Sequence, residues 1–181
     1  MKLSYKERIS NVKPIVVVSR CLGFEACRYN GQLDGCNLVE ALKDFVDFIT
    51  VCPETQIGLE TPREAIRLVK EDEASPVKLV QHETERELSK EMIEFGEKFL
   101  LNLPKVDGFI LKSKSPSCGI KEVKIYKSTQ KGSASVKGNG LFGELVMKSF
   151  PGLPVEDDGR VKNYNIRQHF LTKLYIMKNF R

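Results

Sequence analysis

The chain has 181 residues and a mass of 20.5 kDa, with 41% hydrophobic and 29% charged side chains and only 13 glycines. That is one domain's worth of sequence, able to bury roughly two-thirds of its unfolded surface, and it excludes a disordered chain or a collagen-like repeat. No apolar stretch approaches the roughly 20 residues that cross a bilayer, and the opening MKLSYKERISNVKP has no apolar signal core, so a cytoplasmic address with no membrane contact is expected.

In chain order, Ile15-Val16-Val17-Val18 is a β-branched apolar run without polar alternation, which predicts a strand buried on both faces. A helix is expected from about Asn37 to Val46, with Asn37 as N-cap and Leu38, Leu42 and Phe45 on its apolar face. Phe48–Val51 reads as a second buried strand, and Gln56–Ala74 has no decisive pattern, Pro62-Arg63-Glu64 being compatible with a short helix or an extended turn. Val77–Val80 suits an edge strand. Thr84-Glu85-Arg86-Glu87 has the form of a capping box, and Leu88, Met92, Phe95, Phe99 and Leu103 then recur at three and four residues up to Pro104. Gly108–Leu111 is a further buried strand. Residues 113–140 read mostly as loop, with an extended piece at Val123–Tyr126. A helix at Gly140–Phe150 and a short strand at Pro154-Val155 follow. Gly138-Asn139-Gly140-Leu141-Phe142-Gly143 matches GxGxxG by letter, but it follows a polar loop rather than a strand and reads as a helix start. Strands alternating with helices predict an α/β fold whose mostly parallel sheet is covered by helices on both faces, with ligands at the carboxyl ends of the strands.

Five cysteines, Cys21, Cys27, Cys36, Cys52 and Cys118, form no CxxC pair, and their odd number argues against a disulfide framework. A metal or cluster site, a catalytic thiol and inert buried thiols all remain open. Cys21 follows the first strand, Cys52 ends the second and Cys118 lies in the loop after Gly108–Leu111, so neighbouring strands would bring these three to one crevice. Cys27 and Cys36 have less reason to converge there. A structural zinc site takes four protein ligands, whereas a 4Fe–4S cluster on three cysteines leaves one iron open to bind and polarise a substrate atom.

Polar residues accompany the thiols. Glu54, two residues after Cys52, is a candidate general base. Ser113, Ser115 and Ser117 precede Cys118 in a turn whose backbone N–H groups suit an anion or a carbonyl, and Arg28 and Arg63 are candidate ligand anchors. His82 and His169 belong with surface or packing roles. Charge is uneven: the net +5 divides into +9 for residues 105–181, with 15 basic and 6 acidic side chains, and −4 for the rest. Without interleaved aromatics this is a solvated lysine face in the plainer reading and an RNA-binding face in the other.

Five blocks in order are specific: Ser19-Arg20-Cys21-Leu22-Gly23, Arg28-Tyr29-Asn30-Gly31, Val51-Cys52-Pro53-Glu54, Gly58-Leu59-Glu60-Thr61-Pro62-Arg63-Glu64 and Lys112-Ser113-Lys114-Ser115-Pro116-Ser117-Cys118-Gly119. Together they resemble the thiouracil desulfidase (TudS) family over about residues 13–160. The resemblance implies a Rossmann-like three-layer α/β sandwich carrying a 4Fe–4S cluster on Cys21, Cys52 and Cys118. It implies removal of sulfur from a thiolated pyrimidine, thiouracil or 4-thiouridine in tRNA, by water without net redox change. Glu54 and Ser115 then fall on the catalytic positions, and the residues themselves add Ser113, Ser117, Arg28 and Arg63 as candidate substrate contacts. Cys27 and Cys36 are extra thiols that could block an open iron. Residues 161–181 resemble the junction to a second helical domain of longer relatives, the desulfidase domain itself spanning 1–160. Two other classes compete with a desulfidase: an iron–sulfur binding or sulfur-trafficking module without hydrolytic turnover, and a zinc- or thiol-stabilised fold that binds RNA through its lysines.

Overall fold

A computed structural model describes residues 13–130 and 132–179. The apolar run at the start forms β1 (Ile15–Ser19), followed by α1 (Asn37–Leu42), β2 (Asp47–Val51) and the single turn α2 (Pro53–Gln56). Then come β3 (Ile66–Val69), β4 (Lys78–Gln81), α3 (Ser89–Leu101), β5 (Gly108–Leu111), β6 (Val123–Tyr126), β7 (Ser135–Gly138), α4 (Leu141–Ser149), β8 (Val155–Asp157), a 3₁₀ turn at Arg160–Lys162 and α5 (Tyr164–Asn179).

The main sheet has the order β2-β1-β5-β8 and every pair is parallel. Its central strands are buried on both faces, as their unbroken apolar sequences require. Val17, Phe109 and Leu111 face one core with Met92 and Leu100 of α3 and Phe142 and Val146 of α4. Val16, Val18 and Ile110 face the other with Leu38, Val39 and Leu42 of α1 and Phe170 and Leu174 of α5. These are the three layers of an α/β sandwich. Buried Asp107 starts the central strand, its carboxylate accepting from the Ile15 N–H at 2.7 Å while its own N–H donates to the Ile15 carbonyl at 2.8 Å.

A second sheet, β4-β3-β6-β7, mixes a parallel β3–β6 pair with antiparallel pairs at both sides. β4 is an edge strand, as expected. β3 and β7 lie in stretches read without strand pattern; each has four residues, and β7 is largely exposed with Val136 63% accessible, so neither shows an apolar alternation.

Helix starts differ from the sequence reading. α1 ends at Leu42 rather than Val46, Phe45 is 60% exposed, and Cys36, not Asn37, occupies the cap position, without a side-chain cap bond. The capping box at Thr84–Glu87 does not form, and α3 begins at Ser89. The Thr84 hydroxyl and N–H both donate to the Glu64 carboxylate, Glu85 sits in the left-handed region (φ 54°), and Glu87 bridges back to Val80 of β4. A side-chain acceptor and a strand partner thus outcompete the local cap. β2 is half-buried rather than fully buried because it is a sheet edge.

α5 buries Phe170 and Leu174 to 1% and 0% exposure against the main sheet. Leu174→Ala is expected to cost about 2–5 kcal/mol, read as a lower urea midpoint with unchanged m-value; a change below about 0.5 kcal/mol would remove α5 from the domain core.

Candidate functional site

Parallel pairing sets the carboxyl ends of β1, β2, β5 and β8 at one edge of the main sheet. There the Arg20 N–H donates to Val51 O (2.8 Å), the Lys112 N–H to Ser19 Oγ (2.9 Å) and the Asp158 N–H to Leu111 O (3.1 Å). A cavity of about 1140 Å³ opens at this edge. Cys21, Cys52 and Cys118, arriving from three different strands, all line it, together with Glu54, Arg28, Arg63, Ser113 and Ser115. Ser117 does not line it; it is fully buried behind Glu54 and its hydroxyl donates to Glu54 Oε1 at 3.0 Å. Cys27 joins the lining thiols, whereas Cys36 is buried outside the cavity. Nothing in the spacing of the first loop distinguished these two.

Burial and neighbouring thiols push the pKa values of Cys27, Cys36, Cys52 and Cys118 up. Burial pushes the Cys118 thiol well up, reinforced by Cys52 and Glu54 close by. The thiol interaction with Cys27, then burial, pushes Cys52 up in the same way. The Cys27 thiol is raised to about 11, first by Cys21. Burial also raises Cys36. Soft thiols lining one cavity are a donor set for a thiophilic cation, whose charge favours their ionised forms. The residues present therefore fit an iron–sulfur centre.

The Cys118 turn is built by serine. Ser115 Oγ accepts from the N–H groups of Ser117 (3.2 Å) and Cys118 (3.1 Å), and Ser115 O accepts from Gly119 N–H (2.9 Å). α4 starts against this turn: Leu141 N–H donates to Pro116 O (3.1 Å), Gly143 N–H to Ser117 O (3.0 Å) and Gly140 N–H to Gly119 O (2.8 Å). Gly140 and Gly143 thus bring a helix start onto the cysteine turn, and the Gly140, Leu141 and Gly143 N–H groups are taken by backbone carbonyls.

On the opposite side, Lys112 Nζ bridges Asp158 (2.8 Å) and Asp34 (3.2 Å), and Arg28 reaches Asp34 at 3.0 Å. Burial alone would lower the Lys112 pKa and raise that of Asp158; their mutual hydrogen bond and charge win, holding the lysine raised and the aspartate lowered. The Ser113 N–H donates to Asp158 at 2.6 Å. Asp34 carried no sequence signal, because the lysine that ties it to the cavity wall is 78 positions away. Among the described residues no helix is long and apolar enough to cross a membrane. His82 and His169 lie outside this cavity.

The family model for 2-thiouracil desulfurase matches residues 16–158. That span runs from β1 through β8 and contains all three thiol-bearing loops. The uncharacterised protein YbbK of Bacillus subtilis strain 168 is 29% identical over 140 residues, 75% of this chain and 91% of that protein. A solved structure of a 4Fe–4S-dependent thiouracil desulfidase, TudS, superposes with a TM-score of 0.63 at 26% identity, over 87% of this chain and 99% of its own. With its β1–β8 core matched end to end, the chain belongs to the 2-thiouracil desulfurase family.

Proposed function

We propose that the protein is a 4Fe–4S-dependent desulfidase acting on thiolated pyrimidines. The observation that carries this reading is the convergence of Cys21, Cys52 and Cys118 with Glu54 on one cavity, in a chain of this family. The three cysteines would hold the cluster. When bound, it supplies a Lewis-acidic, thiophilic iron for the substrate sulfur. The reaction balances without a redox partner: water supplies the carbonyl oxygen and its two protons leave with the sulfur as hydrogen sulfide. Glu54, held by Arg63 and Ser117, takes a proton from the attacking water. Ser115, with its oxygen fixed by two N–H donors, directs its own O–H into the cavity as a donor to the substrate. Arg28 and Ser113 supply further polar contacts at the wall.

Thiolated tRNA is the larger candidate substrate. Arg20, Lys114, Lys124, Lys137, Arg160 and Lys162 also line the cavity, more positive charge than an uncharged base requires. A cytoplasmic setting, which keeps thiols reduced, suits five unpaired cysteines. A module that holds a cluster without turnover is the second reading, favoured by the fourth thiol, Cys27, in the same cavity.

Sulfide release from 2- and 4-thiouracil by anaerobically reconstituted protein, with iron measured on the same sample, tests the proposal. Turnover at about four irons per chain supports it. A full cluster with no sulfide from free base or thiolated tRNA favours the second reading. Glu54→Gln is expected to keep the iron and lower sulfide release by at least about 100-fold; loss of iron instead would make Glu54 structural.

A further inference from the structure

Arg63 lines the cavity, yet its side chain is only 5% exposed. Nε and Nη2 both donate to Glu54 Oε2, at 2.9 and 2.6 Å. Nη2 also donates to the Cys27 carbonyl at 2.9 Å, and Nη1 to the Glu60 carbonyl (3.2 Å) and Thr61 Oγ1 (3.0 Å). Five contacts match the five N–H donors of a guanidinium, which leaves none for a ligand. The residue's backbone N–H donates to Tyr29 O at 2.7 Å, so both its ends are tied to the loop that carries Cys27.

The consequence falls on Glu54. Its Oε2 accepts two guanidinium N–H groups, which fill that oxygen. Its Oε1 accepts the single Ser117 hydroxyl and keeps one lone-pair site, on a side chain that faces the cavity. We infer that Arg63 is a positioning residue for the desulfidation reaction, occupying Oε2 of Glu54 so that Oε1 is the oxygen that receives the proton from water, and making no contact with substrate. This deepens the proposed function and rests on its reading of Glu54. A lysine cannot replace the fork, because one ammonium cannot hold Oε2 in plane while reaching Cys27 O, Glu60 O and Thr61.

The test compares wild type, Arg63→Lys and Arg63→Ala after anaerobic reconstitution, with iron and cluster absorption measured first. Both variants are expected to keep iron, lose about 10- to 100-fold in kcat for sulfide release, and hold KM for thiouracil within about twofold. Added guanidinium ion should restore part of the kcat of Arg63→Ala and none of Arg63→Lys. In ¹⁵N-labelled apo-protein the Arg63 Nε–H should exchange slowly in wild type and fast in Glu54→Gln, a readout independent of the cluster. A raised KM at unchanged kcat would make Arg63 a substrate contact and overturn the inference. So would loss of iron in both variants, or an Nε–H indifferent to Glu54. Iron-loaded wild type that releases no sulfide from thiouracil or thiolated tRNA sinks the functional reading itself, whereas failure confined to the Arg63 variants sinks only this role.

Discussion

Cys21→Ser, Cys52→Ser and Cys118→Ser are each expected to leave a folded protein that takes up well under the about four irons per chain of the wild type and releases sulfide at background. Each thiol arrives from a different strand end, and Cys27 is a further thiol in the same cavity. Cys21 stands two residues past β1, Cys52 directly after β2 and Cys118 seven residues past β5. All three are buried, and Cys52 and Cys118 are pushed toward their neutral forms without a cation, so thiol ionisation and the uptake of metal are coupled. Cys36→Ser is the control: it is buried outside the cavity and should keep its iron. Cys27→Ser divides the two functional readings. Full iron with sulfide release at or above the wild-type rate fits a three-cysteine site; loss of iron would enlist Cys27 as a ligand. Iron content by colorimetric assay and the visible charge-transfer band read all five variants, and equal iron loss in Cys36→Ser would discredit the cavity as the iron site.

Gly143→Ala and Gly140→Ala are expected to lower stability by about 1–3 kcal/mol or more, and to lower iron uptake with it. A Cβ on Gly143 would stand 2.5 Å from Gly119 O and 2.8 Å from Cys118 O. One on Gly140 would stand 2.5 Å from Ser117 O and 2.6 Å from Ser117 C. These are backbone atoms of the cysteine turn and cannot swing aside as a side-chain tip can. Either the turn retreats, carrying Cys118 with it, or α4 lifts away from the sheet. Thermal unfolding followed by circular dichroism, with iron content on the same samples, measures both effects. Gly152→Ala is the control, since nothing lies within 4 Å of its Cβ position and its effect should stay within about 0.5 kcal/mol. A wild-type Tm and full iron in Gly143→Ala would show that the close approach of α4 is not needed to hold the turn.

The same glycines show where sequence reading stops. Read as letters, GxGxxG suggests a nucleotide loop; in the sequence it follows a polar loop, but its first glycine ends β7, while its second caps α4 and its third lies in the first turn of α4. Neither the letters nor the polar loop reveals that the helix start is docked on residues 116–119, because that contact joins segments about 24 positions apart through backbone atoms. Local signals also failed where a distant acceptor competed. Thr84 has the letters of a capping residue, but Glu64, 20 positions earlier, takes its hydroxyl. β7 was invisible because an exposed strand paired on one side needs no apolar alternation.

What could be read along the chain was what neighbours in sequence decide. Unbroken apolar runs at Ile15–Val18 and Gly108–Leu111 can only be satisfied by burial on both faces. The three- and four-residue spacing of Leu88, Met92, Phe95 and Phe99 required an amphipathic helix, which α3 supplies from Ser89. The positions of Cys21, Cys52 and Cys118 after strands followed from the same patterns. Tertiary structure alone decided that β2, β1 and β5 are adjacent and parallel, so that the three thiols share one cavity. It alone admitted Cys27 and left Cys36 outside, set Ser117 behind Glu54, and filled every donor of Arg63. The contacts that join Glu54 to Arg63 and Ser117, and Arg63 to Cys27, span 9 to 63 positions, and a side chain's partner at such separation is chosen by which segments the fold lays side by side, not by the residues next to it.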